Sequence, residues 1–358
     1  MTPDDIARLR LLNQHINGTR FTQPAEVVAW LGAVQSQDYA GAKWALGLRL
    51  PGAVDDEIER AFTAGAILRT HVMRPTWHFV APADIRWMLA LTAPRVHAIS
   101  DYYYRKLELD DALLRHSDET LAEALRGGHE RTRDELRAAL EQSNVILGDP
   151  LRLGYLLIHA ELEGIICSGA RRGKQFTYAL LEERVPPASM LERDEALAEL
   201  TRRYFTSHGP ATARDFSWWS GLTVGDAQRG LAILGSDLQR QEIEGQSYWL
   251  APSALPACEA IESAHLLPNY DEYGVSYQDR SAIFDPANLD QFIFSHILIV
   301  DGKILGSWKR SLTTRAAAVE LSAFAPLTDV QRKAVDAAAE RYGAFLGLSV
   351  ASSWRSGD

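Results

Sequence analysis

The chain has 358 residues of ordinary globular composition and a formal net charge of −10, which excludes disordered and fibrous classes and leaves room for more than one buried core. Its start carries Asp4 and Asp5 and only a short apolar run, and no apolar stretch is long enough to span a bilayer. Cys167 and Cys258 stand far apart, outside any disulfide or thiolate-metal spacing, so a cytoplasmic protein with no membrane association and no metal site is expected.

Near the N-terminus, IARLRLLNQHI, AEVVAWLGAV, YAGAKWALGLRL and DDEIERAFTAG have helical periodicity, and ILRTHVM and TWHFVAP read as strands. From Glu119, ETLAEAL predicts a short helix broken by Gly127 and Gly128. Thr132 with Glu135 forms a capping box for RDELRAALEQ. After Gly148-Asp149-Pro150, LRLGYLLIHAELEG predicts a helix closed by Gly164. IICSGARRGKQFTYALL then gives two strands around a basic, glycine-rich turn.

The pattern returns after Val185-Pro186-Pro187. ALAELTRRYFTSHG is a helix, Thr212 with Asp215 opens ARDFSWWSG, and Thr223 caps VGDAQRGLAIL. LQRQEI and SYWLA, joined at Glu244-Gly245-Gln246, make another hairpin. Helices followed by a hairpin is the order of a winged helix, and its recurrence predicts a tandem array. Beyond Ala264, HILIV and KILGSW flank Asp301-Gly302, a type I′ turn pair, and a helix from Asp329 to Gly343 closes the chain. The expected class is α+β: three tandem winged-helix units and a small C-terminal cap. Expected boundaries are 1–105, which includes a following helix, then 106–185, 186–256 and 257–358.

A net negative charge disfavours a polyanion partner, but the charges are segregated. Ala64 to Ser100 holds Arg69, Arg74, Arg86 and Arg95 against Asp84 alone, with His71, His78 and His97 beside them. Arg171, Arg172 and Lys174 cluster without an acid between Gly164 and Tyr178. The acids Glu259, Glu262, Asp271, Glu272, Asp279, Asp285 and Asp290 gather further on, against Arg280.

Common catalytic signatures are missing: no Gly-x-Ser-x-Gly elbow, no phosphate-binding Gly-x-x-x-x-Gly-Lys loop, no His-Glu-x-x-His helix. What stands out is Gln35-Ser36-Gln37-Asp38 at the end of AEVVAWLGAV. In extended backbone, residues two apart project to one side, so both amides can face one site; two solvated glutamines are the plain alternative.

Three stretches are similar to the AlkZ and YcaQ family of bacterial DNA glycosylases: VQSQDYAGAKWALGLRL, LRTHVMRPTWHFVAPADIRWML and LLPNYDEYGVSYQDR. The similarity runs from Arg8 to about Arg310. It implies three winged helices forming a concave basic surface around duplex DNA, and a catalytic Gln-x-Gln or Gln-x-Asp motif. Gln35 and Gln37 occupy its two positions, in the AlkZ manner, with Ser36 where the family usually has an apolar residue.

Glutamine has no proton-transfer pKa but offers an acceptor oxygen and two donor hydrogens. An N7-alkylguanine is already cationic and leaves without a general acid, so the remaining task is to place a water and stabilise an oxocarbenium-like sugar with aimed dipoles. The resemblance therefore implies a monofunctional glycosylase of N7-alkylated purines in duplex DNA, bulky adducts or crosslinks included, with no cofactor and no obligate protein partner. Asp38 either supports catalysis or caps the next helix. Arg69, His71, Arg74 and His78 are candidate DNA contacts, with Trp77, Phe79 and a buried His78 as the core alternative. Arg171, Arg172 and Lys174 are either phosphate contacts or a solvated turn. Asp271 and Glu272 are expected to pair internally with Arg280, and Trp218 and Trp219 to be core anchors. The rival function is a non-catalytic winged-helix regulator.

Overall fold

Several helices start where a threonine closes the first turn. Thr132, Thr212, Thr223 and Thr328 each accept the backbone N–H of the residue three ahead, whose side chain accepts the threonine N–H in return. The computed structural model describes residues 1–16, 21–252, 263–288 and 296–355. Cys258, Glu259, Glu262, Asp290 and the expected 256/257 boundary lie outside the described residues.

The first segment runs α1 (Pro3–Asn13), α2 (Pro24–Leu31), β1 (Val34–Gln35), α3 (Tyr39–Gly47), α4 (Asp55–Thr63), β2 (Leu68–Val72) and β3 (Arg74–Val80). The short β1 pairs with β3, the second strand of the hairpin. A long helix, α5 (Ile85–Lys106), leads to α6 (Asp111–Leu125), β4 (Arg131–Thr132), α7 (Arg133–Gln142), α8 (Pro150–Leu162), β5 (Ile166–Ser168) and β6 (Thr177–Leu180). Here too the short strand, β4, pairs with the second hairpin strand, β6. α6 begins well before the expected Glu119, because the Asp110 carboxylate accepts the Leu113 N–H and caps an earlier turn.

After the four-residue α9 (Leu181–Arg184) come α10 (Arg193–Ser207), α11 (Ala213–Ser220), α12 (Val224–Leu234), β7 (Gln239–Ile243) and β8 (Gln246–Leu250). Ala211 bridges Trp249 of β8, in the place that β1 and β4 take in the earlier segments. The chain is thus a mixed α+β fold in which one helix-and-hairpin order occurs three times.

The C-terminal part contains β9 (Ala264–Leu267), the one-turn α13 (Glu272–Val275), β10 (His296–Val300), β11 (Lys303–Leu312) and β12 (Ala316–Ala323), then the helix Asp329–Leu346 and β13 (Ser349–Trp354). Its sheet has the order β13-β12-β11-β10-β9, antiparallel except for β13 beside β12. Asp301 and Gly302 have φ of 49° and 83°, the sign a type I′ turn demands at both positions.

Two buried clusters hold the segment between α2 and α3. One packs Leu68, Val72 and Val80 of the first sheet with Met88 and Val96 of α5 and with Tyr204, Phe216 and Trp219 of α10 and α11. The other packs Val28 and Trp44 with Leu298 and Trp308 of the C-terminal sheet and Tyr342 of the closing helix. Trp44 Nε1 donates to the Leu266 carbonyl at 2.6 Å, so the indole is both buried and hydrogen-bonded. Burying each large side chain contributes about 1.5–3 kcal/mol, so the C-terminal sheet and the first segment stabilise one another.

Candidate functional site

Gly32 ends α2 at φ 82°, and the chain turns directly into β1. Gln35 lies opposite His78 in the β1–β3 ladder, and Ser36 N donates to the Trp77 carbonyl at 2.7 Å. The Gln35 side chain is buried, and its Oε1 accepts from Arg74 Nη2 at 3.0 Å. Gln37 is exposed, and its Oε1 accepts the Trp77 N–H at 3.3 Å. Both amides are therefore oriented by partners on β3, and each sp² oxygen keeps a second lone pair. Asp38 turns the chain into α3: its Oδ1 accepts the Gly41 N–H, and Oδ2 lies 3.4 Å from Arg310 Nη2.

Beneath β1 sits Glu272, fully buried on α13. Its Oε1 accepts the Gln35 N–H at 2.7 Å, and Oε2 accepts from Trp219 Nε1 at 2.9 Å and from the Ser276 hydroxyl. Burial alone would raise the pKa of this carboxyl, but His208, Ser276 and the Gln35 N–H oppose that and hold it at about 2. Asp271, next to it, takes a two-pronged ion pair from Arg49, at 2.8 and 2.9 Å. The acids do not pair with Arg280 as expected: Arg280 Nε donates to the Gly274 carbonyl, while Asp271 holds Arg49 just past α3 and Glu272 holds β1. Trp219 is a buried anchor, but Trp218 is 46 % exposed and donates to the Val275 carbonyl.

Four expected DNA contacts on the first sheet lie inside or at the edge of the protein. Both faces of β2 are covered, so the alternation that sets Arg69 and His71 on one face does not bring them to the surface. Arg69 donates from Nε and Nη2 to the Ser36 carbonyl, both at 3.2 Å, and its guanidinium lies 4.1 Å from the Trp77 ring and 4.6 Å from Phe176. Burial lowers its pKa to about 10, so it stays cationic. His71 Nδ1 is 2.5 Å from Glu161 Oε2. His78 is fully buried, with Nδ1 at 2.9 Å from the Thr76 carbonyl and Nε2 3.4 Å from Arg74. Burial, then the Arg74 charge, push its pKa down to about 3, so it is a neutral ring with Nδ1 protonated. Arg69 and His78 are engaged beside the glutamine segment, His71 is engaged by Glu161, and all three are buried; Arg74 reaches Gln35 itself.

The second basic cluster is split. Arg171 is drawn to Glu59, 3.2 Å away, between the rings of Tyr39 and Phe176. Arg172 is exposed and pairs with Glu135 at 2.8 Å, and Lys174 is exposed on the β5–β6 turn. A cleft of about 380 Å³ opens between this turn and Trp77, walled by Arg69, Arg133, Lys174, Phe176 and Tyr178. The sequence marked Glu272 as an internally paired acid but not its partner Gln35, and gave no sign of Arg49 or Arg310 as supports, since the partners lie far along the chain.

A family model described as DNA glycosylase AlkZ-like matches residues 28–345. The interstrand DNA cross-link repair glycosylase of Streptomyces sahachiroi is 25% identical over 312 residues, which cover 80% of this chain and 83% of that protein. The solved structure of Streptomyces sahachiroi DNA glycosylase AlkZ has the same fold, with a TM-score of 0.84 at 22% identity over 99% of this chain and 100% of that one. No helix among the described residues is long and apolar enough to cross a membrane.

Proposed function

Since the chain belongs to the AlkZ-like DNA glycosylase family, we propose that it is a monofunctional glycosylase hydrolysing the N-glycosidic bond of N7-alkylated purines in duplex DNA, with bulky adducts and interstrand crosslinks in its range. Its three helix-and-hairpin segments act as winged helices on the duplex, and Arg172 and Lys174 reach phosphate from the second hairpin. The observation that carries the reading is the pair of glutamines two residues apart, Gln35 on β1 and Gln37 just past its end, each with its amide oxygen held by β3, with a buried carboxylate on the Gln35 N–H.

The chemistry needs little more than placement. The cationic base departs with the electron pair of the C1′–N bond and becomes neutral; a water forms the new C1′–O bond and releases its proton to solvent. The remaining lone pairs of Gln35 and Gln37 orient that water and face the developing sugar cation. The arrangement suits such dipoles because it is built before substrate arrives. Gln37, being exposed, meets DNA at the groove, and the cleft beside Trp77 offers aromatic and cationic walls to a bulky substituent. Base flipping into a closed pocket is not required.

The test is release of 7-methylguanine from methylated duplex by the purified protein beside folded Gln35→Ala and Gln37→Ala variants. Loss of about 10²–10³ in rate is expected for each, the size of removing one aimed dipole. No release by wild type from either methylated or crosslinked duplex, together with a tight sequence-specific footprint, would favour the regulator instead.

A further inference from the structure

The crossing of α5 and α8 gathers three side chains that base excision does not use. His97 comes from α5, His159 from α8, and Glu163 from the C-cap of α8; one ligating atom from each lies within 4.8 Å of the other two. His159 and Glu163 are four apart and share a helix face, whereas Glu161 points to the opposite side and holds His71.

Each imidazole is fixed from behind. His159 Nδ1 lies 3.1 Å from Asp118 Oδ2, and His97 Nδ1 lies 3.0 Å from the Tyr104 hydroxyl. The Asp118 carboxylate takes the His159 Nδ1 proton and leaves Nε2 with the lone pair, and the Tyr104 hydroxyl, which can donate or accept, fixes the His97 ring; such outer partners are what orient metal-binding histidines. His97 Nε2 is buried without a hydrogen-bond partner, yet stands 3.0 Å from Glu163 Oε1. Both atoms lie within 4.8 Å of a His159 ring nitrogen as well, so all three ligating atoms are close enough to share one ion. The spacing of His97 Nε2 from Glu163 Oε1 approaches the about 3.3 Å that separates ligands around a tetrahedral cation with bonds of about 2.0 Å.

We propose that His97, His159 and Glu163 bind a divalent transition-metal cation, zinc by ligand type, at a site distinct from the glutamine motif. Two imidazoles and a carboxylate suit zinc and leave a fourth position for water. A cleft of about 390 Å³, lined by Arg86, Ala90, Pro94, Met190 and the His97 and Glu163 side chains, gives the ion a route in. The bound ion ties α8 to α5 on one side while Glu161 ties it to β2 on the other. The second hairpin is thereby fixed against the sheet that carries Gln35.

Full-length protein stripped with a chelator is titrated with zinc and with cobalt(II). One equivalent per chain, the intense visible bands of tetrahedral cobalt and a zinc-raised melting temperature are expected. His97→Ala and His159→Ala each weaken zinc binding by about 100-fold, and Asp118→Asn by about tenfold. Should a histidine variant fail to fold, Glu163→Gln, half exposed at the helix end, serves instead and loses the tetrahedral cobalt spectrum. Substoichiometric binding by the wild type, or stoichiometric binding that the variants keep undiminished, overturns the proposal.

Discussion

Glu272 Oε1 accepts the backbone N–H of Gln35 across 237 residues of sequence. β1, which carries Gln35 and leads into Gln37, is therefore anchored by an acid from the last third of the chain. Glu272→Ala leaves the Gln35 N–H and Trp219 Nε1 buried without an acceptor, at about 1–3 kcal/mol each. A lowered melting temperature and lost base release are expected, whereas Glu272→Gln, which keeps an acceptor oxygen, retains part of both. Wild-type activity in the alanine variant would show that the anchor is dispensable.

Arg74 and Lys174 separate orientation from attraction. Arg74→Ala frees Gln35 Oε1, so single-turnover base release falls by about tenfold or more while affinity for duplex DNA and its salt dependence change little. Lys174→Ala does the reverse: it weakens binding of any duplex and lowers the slope of log K against log salt by about 1, with the bound-state rate preserved. Binding titrations across salt, beside single-turnover rates, distinguish the two, and an unchanged slope for Lys174→Ala argues against phosphate contact.

Gly221 ends α11 at φ 71°, and a Cβ there would lie 2.1 Å from the Met73 carbonyl oxygen. Met73 forms the β2–β3 turn, itself at φ 64°, immediately before Arg74. Gly221→Ala combines a disfavoured backbone with a backbone clash and is expected to cost about 2 kcal/mol or more. Chemical denaturation measures it; a change under about 0.5 kcal/mol would mean that the turn moves aside freely.

Stability should fall on mild acidification. Burial first, then neighbouring arginines, lower the pKa of His78 and His265 to about 3 from 6.5. The unfolded chain takes up these protons near pH 6.5 and the folded one does not, so their contribution is full above that pH. It declines as pH drops toward 3, by up to about 1.4 kcal/mol per unit for each ring. Glu272, lowered from 4.5 to about 2, adds a second loss between those values. Melting temperature should be level above pH 7 and slope downward below 6.5, less steeply in His78→Gln; an identical slope in that variant would contradict a neutral buried His78.

Much of the local structure was legible because it rests on nearby residues. The capping boxes at Thr132, Thr212 and Thr223 and the Asp301-Gly302 turn all form where periodicity and turn chemistry place them. α6 starts earlier than its periodicity suggests because Asp110 caps an earlier turn. The interior charges were not legible. Alternation in β2 puts Arg69 and His71 on one face, but no pattern tells that α8 and the second hairpin cover that face. Nor does any spacing link Arg49 to Asp271, or His97 to His159; of the proposed metal ligands only the four-residue step from His159 to Glu163 is visible in the sequence.

The long reach from Gln35 to Glu272 has a consequence during synthesis. Residues of the first sheet leave the ribosome while the acid that must answer the Gln35 N–H is still untranslated, and the Arg49 guanidinium waits equally for Asp271. A nascent or prematurely terminated chain can carry all three helix-and-hairpin segments and both glutamines yet leave the Gln35 N–H and the Arg49 guanidinium without their buried acceptors. Folding of the strand that bears Gln35 is thus completed only once the chain past Glu272 has emerged.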